Sequence, residues 1–75
     1  MMKFQMDKLF VVIAGGVPHF YEKLSEQTQI KAIVEPSGAL TVVNVGNYDT
    51  LFPSWTPVAS YAVGQWLRWG YKATT

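Results

Sequence analysis

The chain contains no cysteine and only one histidine, His19, among its 75 residues. The absence of cysteine excludes disulfide bonds and thiolate zinc sites, and one histidine is too few for a histidine-based metal site within one chain. We therefore expect no cofactor and no bound metal. A chain this short buries only about 60% of the surface that its unfolded form exposes. Dense aromatic packing or self-association then remains as a source of additional stability.

Charged residues are also scarce, at 15% of the chain against about 25% in an average soluble domain. The net charge of +1 argues against a dedicated duplex-binding protein, which normally carries a basic stripe. Hydrophobic residues make up 49% of the sequence. A small domain has a high ratio of surface to volume, so we expect some of these apolar side chains to stay exposed in the monomer. This favours an oligomer or an obligate partner.

The sequence has no hydrophobic run long enough to cross a membrane, which takes about 20 residues. The run from Leu9 to Ala14 follows lysines, as in a signal peptide, but no small-residue cleavage pattern comes after it. The uncharged stretch from Thr50 to Leu67 is interrupted by Pro53 and Pro57. We expect a cytoplasmic or otherwise soluble protein.

Recognisable catalytic and phosphate-binding motifs are missing as well. Gly15 and Gly16 could form an anion-binding turn before a helix, but neither a P-loop lysine nor a dinucleotide fingerprint accompanies them. His19 could act as a general base oriented by Glu22, yet no nucleophile or oxyanion site is evident. The five acidic residues are scattered without metal-ligand spacing. We therefore expect no enzymatic activity and assign no catalytic residue.

The first part of the chain predicts a strand followed by a helix. Residues Lys8 to Ala14 are rich in β-branched and aromatic side chains and apolar on both faces, which is typical of a buried central strand. Gly15 and Gly16 end this strand. Pro18 can occupy the first position of a helix, and the apolar spacing that follows predicts a short helix to Glu26.

A β-hairpin is the clearest local prediction. The two-residue period of a strand places Ile30, Ala32 and Val34 on one face of Gln29 to Val34. In Ala39 to Val45 it places Leu40, Val42 and Asn44 on one face and Thr41, Val43 and Val45 on the other. Between them, Glu35 to Gly38 has proline at the second position of a turn and glycine at the fourth.

The last part of the chain predicts a loop and a second helix. Gly46 to Asp49 has turn chemistry, and Leu51 to Trp55 is irregular because of its proline. Thr56 is a suitable cap for a helix that runs from Pro57 to about Trp69. The apolar arc of this helix is wider than a surface helix needs, so we expect it to pack on two sides or to remain partly exposed.

These elements predict a single domain over residues 1–75 with an α+β fold and β-α-β-β-α order. Three strands would form a mixed sheet with both helices on one face, and a right-handed crossover would make the first two strands parallel. The alternative is a small all-β barrel in which residues 58–72 form strands. Gly64 and Gly70, with Trp66, Arg68 and Lys72 at even spacing, favour that alternative.

All three tryptophans lie between Phe52 and Tyr71, and no acidic residue follows Asp49. This segment could be the core, a protein-docking surface, or a surface that stacks single-stranded bases. The candidate partner-binding residues are Tyr48, Phe52, Trp55, Trp66, Arg68, Trp69, Tyr71 and Lys72.

No motif places the sequence in a known family. We expect a non-catalytic protein-interaction module that acts as a homo-oligomer, or as a small subunit, cement piece or inhibitor bound to a larger assembly. One alternative is a single-stranded nucleic-acid binder that uses the C-terminal aromatic and basic segment. Another is a peripheral membrane protein whose aromatic side chains sit at the headgroup level.

Overall fold

The computed structural model describes residues 5–25, 27–47 and 50–74, and these residues form six strands and no helix. The strands are β1 (Gln5–Ile13), β2 (Pro18–Glu22), β3 (Thr28–Val34), β4 (Leu40–Gly46), β5 (Ser54–Tyr61) and β6 (Trp66–Thr74). A first sheet has the order β2-β1-β6 and a second sheet the order β3-β4-β5, and every strand pair is antiparallel. The predicted α+β fold with a mixed sheet is therefore wrong. The all-β alternative has the correct class, although the strands form two separate sheets rather than one closed barrel.

The predicted hairpin is confirmed. Strands β3 and β4 pair from Val34 opposite Leu40 to Thr28 opposite Gly46. The turn is closed by the amide of Gly38, which donates to the carbonyl of Glu35 at 2.9 Å. Gly38 has a φ of 95°, in the left-handed region where glycine is favoured over other residues. Local turn chemistry and strand alternation agree here, which is why the sequence predicts this unit correctly.

The predicted first helix is wrong, because residues Pro18–Glu22 form strand β2. Gly15 and Gly16, with φ of 98° and 88°, turn the chain back so that β2 pairs with β1 instead of starting a helix. The turn is closed by the amide of Ile13, which donates to the carbonyl of Val17 at 2.9 Å. So short a segment gains little from helix formation alone, whereas pairing with a central strand satisfies its backbone.

The predicted second helix is also wrong, because its residues are divided between β5 and β6. The two strands are joined by a tight turn in which the amide of Gln65 donates to the carbonyl of Ala62 at 3.0 Å. Gly64 in this turn has a φ of 86°. Pro57 is tolerated because β5 is an edge strand, where a missing backbone donor can face solvent.

The core lies between the inner faces of the two sheets. Its fully buried side chains are Leu9, Val11, Ile30, Leu40 and Val42, none of which is more than 1% exposed. Burying each such side chain contributes about 1.5–3 kcal/mol. Partly buried side chains surround this centre, among them Tyr21, Tyr61, Trp66, Trp69 and Tyr71. Much of the aromatic content of the last third of the chain therefore belongs to the core.

Candidate interaction surfaces

Strand β6 separates the aromatic and the basic residues that the sequence places side by side. Trp66 and Trp69 pair with Ile13 and Val11 and pack against the core, whereas Arg68 is exposed. Tyr71 packs inward like the tryptophans, while Lys72 is exposed like Arg68. The structure therefore does not bring the tryptophans and the basic side chains together on one surface.

The inward-facing aromatic side chains find partners for their polar atoms. The indole Nε1 of Trp66 donates to the carbonyl of Gly38 at 2.9 Å, and the hydroxyl of Tyr71 donates to the carbonyl of Ile30 at 3.0 Å. Both bonds connect β6 to the hairpin of β3 and β4. Burial raises the pKa of Tyr71 above its ordinary value, since the neutral phenol is favoured in a partly desolvated position. These contacts indicate that Trp66 and Tyr71 stabilise the packing of the two sheets.

A second polar cluster joins β2 to β5. The hydroxyl of Tyr61 lies 3.1 Å from Nδ1 of His19 and also hydrogen bonds with the hydroxyl of Tyr21. Burial, followed by the hydrogen bond with Tyr21, raises the pKa of Tyr61 well above its ordinary value of 10.0. Tyr61 therefore stays neutral at physiological pH and serves as a hydrogen-bonding link between the sheets.

The predicted pairing of His19 with Glu22 does not form. Residues three apart on a strand point to opposite faces, and the carboxylate of Glu22 instead lies 3.8 Å from Nζ of Lys8. His19 contacts tyrosine, with its ring centroid 6.1 Å from that of Tyr61. The helical geometry that the general-base hypothesis requires is absent from β2.

The loop between β4 and β5 displays the most exposed large apolar side chains of the described residues. Leu51 is 89% exposed and Phe52 is 84% exposed. Trp55, which is 50% exposed, follows at the start of β5 and pairs with Val45. Tyr48, the remaining candidate of this region, lies outside the described residues. Phe52 and Trp55 are thus the two predicted partner-binding aromatic residues that the structure shows to be exposed.

Hydrogen bonds connect three described residues of this loop, Asn47, Thr50 and Phe52. The hydroxyl of Thr50 donates to the carbonyl of Asn47 at 2.8 Å, and the amide of Thr50 donates to the same carbonyl at 3.1 Å. The amide of Phe52 in turn donates to the hydroxyl of Thr50 at 3.3 Å. Asn47 has a φ of 53°, a left-handed conformation that asparagine tolerates better than most residues.

The outer face of the first sheet carries a groove of about 480 Å³ that sequence reasoning missed. Its lining includes Phe10, Val12, Pro18, Phe20, Arg68 and Lys72. Arg68 and Lys72 were expected to act with the tryptophans, but their neighbours here are the two phenylalanines. Pro18 and Phe20 are two residues apart, which places them on the same face of a strand but not of a helix. The sequence predicts a helix for residues 18–22, so this spacing alone could not reveal the groove.

Two further observations concern the described part of the chain. No group of three or more histidine, aspartate or glutamate side chains is placed there to hold a metal ion. It also contains no helix of the length and hydropathy required to cross a membrane.

Comparison with protein-family models, with curated proteins and with solved structures identifies no match for this chain.

Proposed function

We propose that this chain is a non-catalytic protein-interaction module that contacts its partner through the β4–β5 loop. The partner is a second copy of the chain or a larger protein to which it binds as a small subunit, cement piece or inhibitor. The observation that carries the proposal is the near-complete exposure of Leu51 and Phe52 on a hydrogen-bonded loop. We also propose that the module acts in the cytoplasm or another aqueous compartment.

Leu51 and Phe52 expose apolar area that a partner could remove from water. Side chains of these types contribute about 1.5–3 kcal/mol each when they move from water into an apolar environment. Binding energy at protein interfaces is concentrated in a few such anchors, among which aromatic side chains are prominent. Leu51 and Phe52 are more exposed than the next large apolar side chain described, Leu24, at 70%. A partner that covers both would therefore gain a large share of the affinity from this loop.

The structure of the loop supports the same proposal. A flexible loop loses conformational entropy when it binds, whereas a loop that is already ordered loses less. Thr50 links Asn47 to Phe52 through hydrogen bonds, and Pro53 restricts the backbone directly after Phe52. The backbone that carries the two apolar side chains is thus restricted at Thr50 and at Pro53.

The predicted role of the C-terminal aromatic residues in partner binding receives less support. Trp66, Trp69 and Tyr71 pack against the core, and the rings of Trp69 and Tyr71 meet edge to face with centroids 5.8 Å apart. Covering them with a partner would bury little additional area. The proposed contact site therefore consists of Leu51, Phe52 and Trp55.

We expect the double variant Leu51→Ser/Phe52→Ser to lose association with the partner. Removing both anchors should weaken binding by at least about 100-fold, because the two burial contributions together amount to about 3–6 kcal/mol. Two measurements check this: the solution molar mass by light scattering over a range of concentrations, and stoichiometric capture of a defined protein from the native source.

The matched control is Leu24→Ser/Leu67→Ser. It also replaces two exposed apolar side chains by serine, but both residues lie outside the β4–β5 loop. Leu24 is 70% exposed and Leu67 is 61% exposed. The control should associate like the wild type. The proposal fails if the loop variant associates as tightly as the control. It also fails if the wild type stays at 8.4 kDa and captures no stoichiometric protein.

A further inference from the structure

The strand register builds an aromatic row across the outer face of the first sheet. Phe10 of β1 pairs with Phe20 of β2 on one side and with Gly70 of β6 on the other. Arg68 and Lys72 lie two residues before and after Gly70, so their side chains flank this row on the same face. The sheet thus assembles two phenyl rings and two basic side chains from three separate segments of the sequence.

Gly70 shapes the groove between these side chains. A Cβ atom at this position would lie only 2.9 Å from two ring carbons of Phe10, so the ring lies directly over the glycine backbone. The ring therefore lies across β6, and a hollow of about 480 Å³ remains beside it. Sites for small organic groups typically measure about 300–1,000 Å³, so the groove has room for a planar base.

The charge on this face favours an anionic ligand. Among its described side chains, Lys8, Arg68 and Lys72 are positive and Glu22 is negative, which leaves a surplus of two positive charges. Glu22 lies beside Lys8, at 3.8 Å, so the surplus belongs to Arg68 and Lys72 at the groove. The whole chain carries a net charge of only +1, which means that this face is more positive than the rest of the molecule.

The contact between Lys72 and Phe20 places a cation next to an aromatic ring. Nζ of Lys72 lies 5.6 Å from the centroid of the Phe20 ring, and Phe20 is 52% exposed. A base stacked on this ring would bring its phosphate close to the ammonium group. Aromatic rings for stacking and a positive groove for the backbone are the two features that proteins combine to bind single-stranded nucleic acid.

We propose that this face binds single-stranded nucleic acid, with Phe10 and Phe20 stacking against bases and Arg68 and Lys72 contacting phosphates. Unpaired bases are required because only they expose a ring face for stacking. A duplex is disfavoured because two surplus charges give little of the phosphate neutralisation on which duplex binding depends. An anionic membrane is disfavoured because only one of the two rings on this face, Phe20, is more than half exposed, whereas the Phe10 ring lies across the sheet and does not project outward as a membrane-inserting side chain would. The proposed nucleic-acid site shares no residue with the β4–β5 loop.

The test is fluorescence anisotropy of a labelled oligo(dT) of about 8 nucleotides, a length within the range bound by single small modules. We expect the wild-type affinity to fall about sevenfold between roughly 50 mM and 200 mM salt, because two phosphate contacts give a slope of about −1.4. Phe20→Ala should bind about 5- to 150-fold more weakly, since it removes one stacking ring. Lys72→Gln should bind more weakly and lower the salt slope by about 0.7.

The matched controls are Lys31→Gln, which removes one positive charge from the second sheet, and Phe52→Ala, which removes one exposed ring from the loop. Both should bind the oligonucleotide like the wild type. Phe20→Leu, which keeps an apolar side chain but removes the ring, replaces Phe20→Ala if circular dichroism shows the latter to be unfolded.

Several results would overturn the nucleic-acid proposal. These are the absence of binding at low salt, equal losses in Lys31→Gln and Lys72→Gln, or equal losses in Phe52→Ala and Phe20→Ala. Duplex DNA of the same length binding at least as tightly would also overturn it. If anionic phospholipid vesicles bind the wild type but not Phe20→Ala, and displace the oligonucleotide, the face is a membrane site instead. The variant Leu51→Ser/Phe52→Ser should retain oligonucleotide binding, so this result is independent of the proposed protein contact.

Discussion

Replacing Leu9 by alanine is expected to lower the free energy of unfolding by about 3 kcal/mol, the middle of the range for buried leucines. Leu9 is fully buried in the central strand of the first sheet, where it pairs with Tyr21 and with Tyr71. Shortening its side chain leaves a cavity between the two sheets, and the tyrosines on either side cannot fill it without breaking their own hydrogen bonds. A domain of this length has a total stability of only about 4–11 kcal/mol.

Thermal unfolding followed by circular dichroism measures this effect. For a domain of this size, a loss of about 3 kcal/mol corresponds to a decrease in Tm of roughly 12–24 °C. Leu51→Ala is the matched control because it makes the same chemical change at a side chain that is 89% exposed. At the same dilute concentration, the control should stay within about 0.5 kcal/mol of the wild type. Equal decreases in Tm for the two variants would contradict the assignment of Leu9 to the core.

Raising the pH above about 10 is expected to destabilise the protein steeply, because Tyr61 and Tyr71 both have raised pKa values. In the unfolded chain these phenols ionise near pH 10, whereas in the folded state they remain protonated to higher pH. Their contribution to stability is therefore complete below about pH 10 and is lost as the pH rises towards the folded-state pKa values. Tyr61, with the larger shift, accounts for up to about 1.4 kcal/mol per pH unit in this window, and Tyr71 adds a loss in the same direction.

The measurement is the urea midpoint at about pH 8 and about pH 11 for the wild type and for Tyr61→Phe. Phenylalanine cannot ionise, so the decrease in stability between the two pH values should be smaller in the variant by about 1.4 kcal/mol. Lysine deprotonation affects both proteins alike and cancels in the comparison. A wild-type midpoint that does not change with pH, or an equal decrease in Tyr61→Phe, would contradict the burial of this hydroxyl between the sheets.

The hairpin of β3 and β4 shows what could be predicted from the sequence. Its alternating residues and its turn at Glu35–Gly38 are local signals that agree, and the predicted strand ends lie within one residue of those observed. The central position of β1 in its sheet was also predictable, because its side chains are apolar on both faces.

The second predicted helix shows why the rest could not be predicted. The pairing of β6 with β1 shifts by one residue at Leu67, so that Trp66 and Trp69 both pack against the core although they are three residues apart. A second shift at Val58 likewise interrupts the alternation of β5. A bulge thus converts the two-residue period of a strand into a three-residue spacing that resembles one face of a helix. The sequence pattern alone does not distinguish the two arrangements.

The β4–β5 loop could be predicted from the sequence more readily than the groove on the outer face of the first sheet. Phe52 lies in a loop with evident turn residues, so its exposure could be expected from local composition. Phe10 and Phe20 face the same groove only because β1 and β2 form a hairpin, and the sequence predicted a helix for the residues of β2. Arg68 and Lys72 were predicted from the sequence as partner-binding residues, but the side chains that surround them depend on strand register, which is a long-range property.

Hydroxyl-radical footprinting with mass spectrometry tests most directly whether the β4–β5 loop, and not the C-terminal aromatic segment, is the contact surface. After the labelling rates are divided by the intrinsic radical reactivity of each residue type, we expect strong labelling of Leu51 and Phe52 in the free protein and much weaker labelling of Trp66 and Trp69, which are partly buried. In the oligomer or the captured complex, labelling of Leu51 and Phe52 should fall while that of the two tryptophans stays unchanged. Tryptophans labelled as strongly as Phe52 in the free protein, and protected in the complex while the loop remains labelled, would contradict the account.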